Sequence, residues 1–169
     1  MSSTSRLNAK VTNTKLPWET EGAKFMEVGS IEAWQTEEGS SKFIRKWSKG
    51  YPKEVICVSY DPASKRIAVG LEDGVIDIIV MTENGYEDVV CVKAHKDKVL
   101  GVSYDSLSNC VYSASKDKIF RVSHGSSLAL IVGIPHKEEL MCMHRDIQNK
   151  RVFVGTKNGE VHIYDISQV

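Results

Sequence analysis

The sequence predicts an all-β protein assembled from repeating four-stranded units. Three observations carry that prediction: an internal repeat with spacings of 41 to 45 residues, apolar and polar residues alternating over strand-length segments, and short Asp- and Asn-containing links. No long segment of helical period competes with them.

The repeat is anchored on Asp61, Asp105 and Asp146, which follow the apolar-rich segments 55–60, 99–104 and 140–145. Nine residues beyond each anchor stand Gly70, Ala114 and Gly155, small residues that end β-branched segments. Twelve beyond stand Asp73, Asp117 and Asn158, whose side chains favour turns because they bond the nearby backbone. An alternating segment follows each turn, at 75–79, 119–123 and 160–164, as a half-buried strand requires. A weaker copy lies upstream, where Gly29-Ser30-Ile31-Glu32-Ala33-Trp34 aligns with Gly159-Glu160-Val161-His162-Ile163-Tyr164. The equivalent sites Trp34, Ile79, Ser123 and Tyr164 lie 45, 44 and 41 residues apart, the period of a four-stranded propeller blade.

Strands are expected at 55–60, 66–70, 75–80 and 89–93 in the second unit, and at 99–104, 110–114, 119–123 and 128–134 in the third. The links 61–64, 105–109 and 146–149 read as hairpin turns, and 36–42 and 82–88 as equivalent loops. The blades are expected at approximately 24–47, 55–93, 99–134 and 140–169. Residues 1–23 read as a disordered or extended segment. Before Glu19 only Arg6, Lys10 and Lys15 carry charge, and neither the apolar core of a secretory signal nor the amphipathic face of a transit peptide is present.

Charge balance narrows the function. With 22 Lys and Arg against 22 Asp and Glu, the chain has no net field for polyphosphate, which argues against general nucleic-acid binding. The longest nearly unbroken apolar run, Leu128 to Ile134, falls far short of the roughly 20 residues of a transmembrane helix. The cysteines Cys57, Cys91, Cys110 and Cys142 sit among apolar neighbours without a Cys-x-x-Cys spacing and read as buried reduced thiols of a cytosolic protein.

With this period, the chain resembles a WD-repeat β-propeller over roughly residues 25–168. Ala94-His95 and Pro135-His136 stand where the family places Gly-His, Asp117 and Asn158 where it places a turn Asp, and Tyr164-Asp165 where it places Trp-Asp. The resemblance implies a hydrogen-bonded network of His, turn Asp, strand hydroxyl and Trp. In the third unit its members are His95 and Asp117 with Ser113 or Ser115, but Ser123 replaces Trp; in the fourth they are His136, Thr156, Asn158 and Tyr164. The second unit has Tyr51 at the His position and is expected to be held by packing alone. Within the family the chain is similar to the amino-terminal propeller region of FYVE-and-WD-repeat proteins of early endosomes. The residues carrying this are Val69 to Ile76, Ala94-His95, Ser115 to Lys118, Phe153 to Gly155 and Asn158-Gly159. The cysteine-rich zinc module of those relatives has no counterpart in this sequence, so zinc and lipid binding do not carry over.

Ring closure needs at least about four blades, and this sequence supplies about three and a half, ending directly after the third strand of its last unit. The expectation is association through an open sheet edge, completion by further repeats, or a return of residues 1–18 to supply a strand. Catalysis finds no support, because phosphate loops, Gly-x-Ser-x-Gly and His-Glu-x-x-His are all lacking. Cys142 and His144 are a single Cys and His pair, short of the three or four ligands of a metal site, and Glu138-Glu139 read as solvated. Trp18 and Trp47 read as packing residues at blade boundaries. No cofactor is expected. The remaining constellation is a Lys excess in loops on one face: Lys53, Lys96, Lys98 and Lys137 before inner strands, and Lys116, Lys118 and Lys157 in the turns between second and third strands. Those loops suit an acidic or phosphorylated protein partner. The expected role is a non-catalytic protein-interaction scaffold, cytoplasmic and associated with endosomes, or else a structural subunit whose open edge another chain completes.

Overall fold

The computed structural model describes residues 8–12, 28–36 and 42–169. Every regular element among them is a strand. In chain order these are β1 (Asn8–Thr12), β2 (Gly29–Thr36), β3 (Phe43–Tyr51), β4 (Val55–Asp61), β5 (Arg66–Leu71), β6 (Val75–Met81) and β7 (Tyr86–Lys93). They are followed by β8 (Val99–Asp105), β9 (Cys110–Ser115), β10 (Ile119–His124), β11 (Leu130–Pro135), β12 (Leu140–Asp146), β13 (Arg151–Thr156) and β14 (Val161–Asp165). Four sheets result, ordered β1-β2-β3, β4-β5-β6-β7, β8-β9-β10-β11 and β12-β13-β14. The chain divides into two compact units, 1–55 with 83–85, and 56–82 with 86–169.

In the first unit, β1 pairs antiparallel with β2 from Asn8 opposite Trp34 to Thr12 opposite Ser30. Residues 8–12 thus form a strand inside the segment read as disordered or extended; the rest of 1–23, including Trp18, lies outside the described residues. Their partner is β2, not β14, which differs from the fold-back envisaged for residues 1–18. The sheet extends past residue 47, because β3 runs on to Tyr51 opposite Gly29. Trp47 is half-buried opposite Ala33.

The second unit owes its regularity to turn chemistry repeated at one register. Asp61 accepts the backbone N–H and the hydroxyl of Ser64 at 2.9 and 2.6 Å. Asp105 does the same with Leu107 N–H and Ser108 hydroxyl, at 3.1 and 2.9 Å, and Asp146 accepts the N–H groups of Gln148 and Asn149, both at 3.1 Å. Each hairpin then closes through a left-handed residue, Lys65, Asn109 or Lys150, with φ of 55°, 50° and 50°. A second left-handed position recurs at Gly74, Lys118 and Gly159, with φ of 89°, 69° and 86°.

Two apolar clusters join the sheets of this unit. Ile76 and Ile78 of β6 meet Val99, Val102 and Tyr104 of β8, and Phe120 and Val122 of β10 meet Leu140 of β12 with Val152 and Val154 of β13. Each such side chain contributes about 1.5–3 kcal/mol on leaving water, so these contacts bind successive sheets face to face.

Some expected boundaries shift. Strand β7 begins at Tyr86 opposite Met81, which shortens the loop read at 82–88 to a tight turn. Leu128 belongs to a turn, not to a strand: its φ is 55°, its N–H donates to His124 O at 2.8 Å, and its side chain is buried in the first cluster. The cysteine reading also needs correction. Cys110 is buried and Cys57 half-buried, but Cys91 on β7 and Cys142 on β12 are exposed. Glu138 and Glu139 are half-buried, and Glu139 pairs with Lys157 at 3.3 Å.

Candidate functional site

The candidate face is built from loops that the backbone holds firmly. Gly74 adopts a left-handed conformation, and its carbonyl accepts the N–H groups of Ala94 and His95 at 3.1 and 3.0 Å. A Cβ at this position would fall 2.2 Å from His95 O, so glycine is required on both counts. The contact fixes the segment that delivers His95 to the top of the third sheet.

The His95 ring is fully buried between β9 and the 116–118 turn. In its neutral form Nδ1–H donates to Asp117 Oδ2 at 3.0 Å, while Nε2 accepts the Ser113 hydroxyl at 2.8 Å. Asp117 also accepts Lys96 N–H at 2.9 Å and Ile119 N–H at 3.1 Å. Burial pushes the His95 pKa below its ordinary value; the Asp117 charge and hydrogen bond oppose the shift, and Arg121 adds to it. Burial raises Asp117, but the Lys96 N–H, the His95 interactions and the Ile119 N–H outweigh it and hold the carboxyl low. Of the two candidate hydroxyls, Ser113 reaches the ring. Ser115 instead accepts Asp117 N–H at 3.0 Å and donates to Asp97 O at 3.1 Å, closing the turn. Ser123 is buried in β10, and the bonds of His95, Asp117 and Ser113 run to one another and to the turn backbone instead.

The fourth sheet brings together a different set. Tyr164 donates its hydroxyl to His136 Nε2 at 2.6 Å and stacks on Phe120 with ring centres 4.5 Å apart. Thr156 donates to the Asn158 amide oxygen and, at 3.1 Å, to Glu160 O. These bonds form two pairs, His136 with Tyr164 and Thr156 with Asn158. Burial and the nearby His162 charge both lower the His136 pKa.

Of the lysines, Lys96, Lys118, Lys137 and Lys157 are exposed and Lys98 and Lys116 half-exposed. Lys116 N–H donates to Lys98 O at 3.0 Å, and the Lys118 ammonium donates to Lys137 O at 2.9 Å, so neighbouring loops carry adjoining cations. Two are neutralised locally, Lys98 by Glu72 at 2.7 Å and Lys157 by Glu139 at 3.3 Å. Lys53 is exposed in the β3–β4 turn of the first unit. Among the described residues no group of three His, Cys, Asp or Glu side chains is placed to hold a metal, and no helix is long and apolar enough to cross a membrane.

Arg145 carries no motif that marks it in the sequence. It is buried at the opposite ends of the inner strands, with Nη1 2.9 Å from Asp105 Oδ1 and Nη2 4.0 Å from Asp61 Oδ1. The repeat gives a partial signal, because its equivalents one residue before the anchors are Tyr60 and Tyr104.

Comparison with known proteins agrees with this geometry. The family model "WD domain, G-beta repeat" matches residues 87–122, which run from β7 through the His95–Asp117 loops into β10. The chain is similar to WD repeat and FYVE domain-containing protein 2 of Mus musculus and of Homo sapiens, with 27% and 26% identity over 120 residues. Each alignment takes in 69% of this chain and spans only 30% of the relative. Among solved structures, the computationally designed Ika4 protein has a similar fold, with a TM-score of 0.65 and 17% identity, over 82% of this chain and 80% of that one.

Proposed function

We propose that this WD-repeat protein, whose sheets are partial propeller blades, is a non-catalytic scaffold that binds acidic segments of a protein partner on the Lys-bearing loop face. The observation that supports the reading most is the cation pattern of neighbouring loops. Lys96, Lys116 and Lys137 form no ion pair among the described residues, and Lys96 rises from the residue whose N–H Asp117 holds. The ring and carboxylate beneath them are fixed by hydrogen bonds, which makes them a frame and leaves recognition to the exposed cations. Lys98, Lys118 and Lys157 serve chiefly to shape the loops through their internal contacts. Lys53 shares the loop type.

The test is fluorescence anisotropy with a labelled Glu-rich peptide. Charge reversal at Lys96, Lys116 and Lys137 together should weaken binding by about tenfold or more and flatten its salt dependence. Equal affinity of parent and variant at low salt would refute the assignment. The family resemblance also supports a finer reading, residence in the cytoplasm at endosomal membranes through partner proteins. Co-localisation of the tagged chain with an endosomal marker tests it, and a uniformly diffuse signal opposes it. A second reading, a structural subunit completed by another sheet, is favoured by the exposed apolar face of β12–β14.

A further inference from the structure

At the Arg145 end of the second unit, away from the lysine loops, a cleft of about 140 Å³ opens between the β8–β9 and β12–β13 turns. Two of the residues lining it, Leu107 and Ile147, are 86% and 60% exposed, whereas Ile166 and the Arg145 side chain are buried. The cleft thus has aliphatic lips above a mixed apolar and cationic base. Its walls are held in place by local bonds. Leu107 N–H donates to Asp105 at 3.1 Å, Gln148 N–H to Asp146 at 3.1 Å, and Ile166 N–H to Lys150 O at 2.9 Å.

The repeat supplies an internal control for the lips. Leu107 stands two residues after its turn Asp, where the other two hairpins have Ala63 and Gln148; Ile147 stands one residue after, where they have Pro62 and Ser106. The turn therefore forms without an aliphatic residue at either offset, and the large side chains occur where they flank the cleft. A single exposed aliphatic residue is ordinary, but two that border one concavity mark a contact surface. Size decides what enters. Cofactors and drug-sized ligands fill pockets of about 300–1,000 Å³, so this cleft admits one bulky side chain and not a whole small molecule.

The polar groups decide what accompanies that side chain. Formal charges of the lining balance, Arg145 and Lys150 against Asp105 and Asp146, so availability matters more than net field. Both carboxylates are engaged: Asp105 by Leu107 N–H, the Ser108 hydroxyl and Arg145, and Asp146 by Gln148 N–H, Asn149 N–H and the Asn149 amide at 2.7 Å. The donors are not. Arg145 Nε has no hydrogen-bond partner among the described residues, and exposed Lys150 forms no ion pair among them, since the nearby Asp165 accepts Ser167 N–H at 2.9 Å. The unmet demand at the cleft is for an acceptor.

We propose that this cleft binds a short segment of a protein partner, which inserts one bulky apolar side chain, Leu, Met or Phe, between Leu107 and Ile147 and sets the carboxylate of an adjacent Asp or Glu on Lys150. The site goes beyond the lysine-face reading and does not rest on it.

Nuclear magnetic resonance of the ¹⁵N-labelled chain tests the assignment. The probes are acetylated Gly-Ser-Glu-Phe-Glu-Ser-Gly and its Leu and Met counterparts. At least one should shift the amides of Leu107, Ser108, Ile147, Lys150 and Ile166 at peptide concentrations up to about 1 mM. Alanine in place of the central residue should weaken binding by about tenfold or more, and Gln in place of both Glu residues by about threefold. Leu107→Ser with Ile147→Ser should also lose about tenfold while leaving the circular dichroism spectrum unchanged. Lys150→Glu, which touches neither lip, should lose about threefold and gives an independent reading. Four results would overturn the proposal: no peptide moves these amides, the alanine peptide binds as tightly as the others, the folded double variant keeps parental affinity, or only phosphatidylserine vesicles, and no peptide, engage the lips. The last would assign them to a membrane surface. Charge reversal at Lys96, Lys116 and Lys137 should leave the cleft amides responding, and Lys150→Glu should leave binding at the lysine loops intact, so the two proposals fail separately.

Discussion

Replacing Asp117 with alanine isolates the frame beneath the loop face. The carboxylate accepts three hydrogen bonds, from His95 Nδ1 at 3.0 Å, Lys96 N at 2.9 Å and Ile119 N at 3.1 Å. A hydrogen bond contributes about 1 kcal/mol net, and more to a charged acceptor. Asp117→Ala removes all three and leaves a buried imidazole N–H without its acceptor, so the expected loss is about 3–5 kcal/mol. For a chain of this size that lowers the melting temperature by about 6–20 °C. Urea titration and thermal melting followed by circular dichroism measure it. Asp117→Asn retains an acceptor oxygen and should fall between parent and alanine variant. Asn158→Ala, at the equivalent but exposed position, should cost less than about 1 kcal/mol. A loss below about 1 kcal/mol for Asp117→Ala would refute the claim that this network holds the loops.

Further expectations follow from the same geometry. Gly70→Ala forces a Cβ to within 2.6–2.8 Å of Cys57 and Val99 and should cost about 1–3 kcal/mol, whereas Gly155→Ala should cost less than about 0.5 kcal/mol by urea titration. Lys118→Gly relieves a left-handed side-chain residue at φ 69° and should stabilise by up to about 1 kcal/mol, visible as a higher urea midpoint. His95 and His136 have lowered pKa values, so the unfolded chain binds more protons as pH falls below 6.5. Stability should therefore decline from that pH down to the folded-state values. It should decline again below about 4, where Asp105 and Asp117, held low in the folded state, finally protonate. Urea midpoints measured from pH 8 to pH 3 test both windows, and His95→Gln should shrink the first. Burial pushes the Cys57 thiol to about 12, against a Gly70 backbone hydrogen bond that lowers it, so native-state alkylation at pH 8 should mark Cys91 and Cys142 and spare Cys57.

The repeat register made the sheet order legible, because Asp, small residue and turn former recur at fixed offsets and each governs a local conformation. The same offsets located Asp117, the family resemblance located His95, and the choice between Ser113 and Ser115 depended only on which hydroxyl a strand aims at the ring. Other features arise from long-range placement that periodicity does not encode. Cys91 and Cys142 have apolar neighbours in sequence yet are exposed on β7 and β12. Leu128 continues an apolar run but is buried from within a turn, since a hydrophobic side chain reaches a core from a turn as well as from a strand. The pairing of Asn8–Thr12 with β2 joins residues more than twenty positions apart in part, through backbone groups that any composition supplies.

Arg145 gives the second unit a mechanical property. One guanidinium borne by β12 lies beside both Asp61 at the end of β4 and Asp105 at the end of β8, so the turn ends of three successive sheets share a single clasp. A sheet that frays at this end strips its neighbours of their counter-charge, which couples their opening. Native-state hydrogen exchange should consequently show amides of β4, β8 and β12 being released as one cooperative block, and Arg145→Met should split that block into separately opening layers.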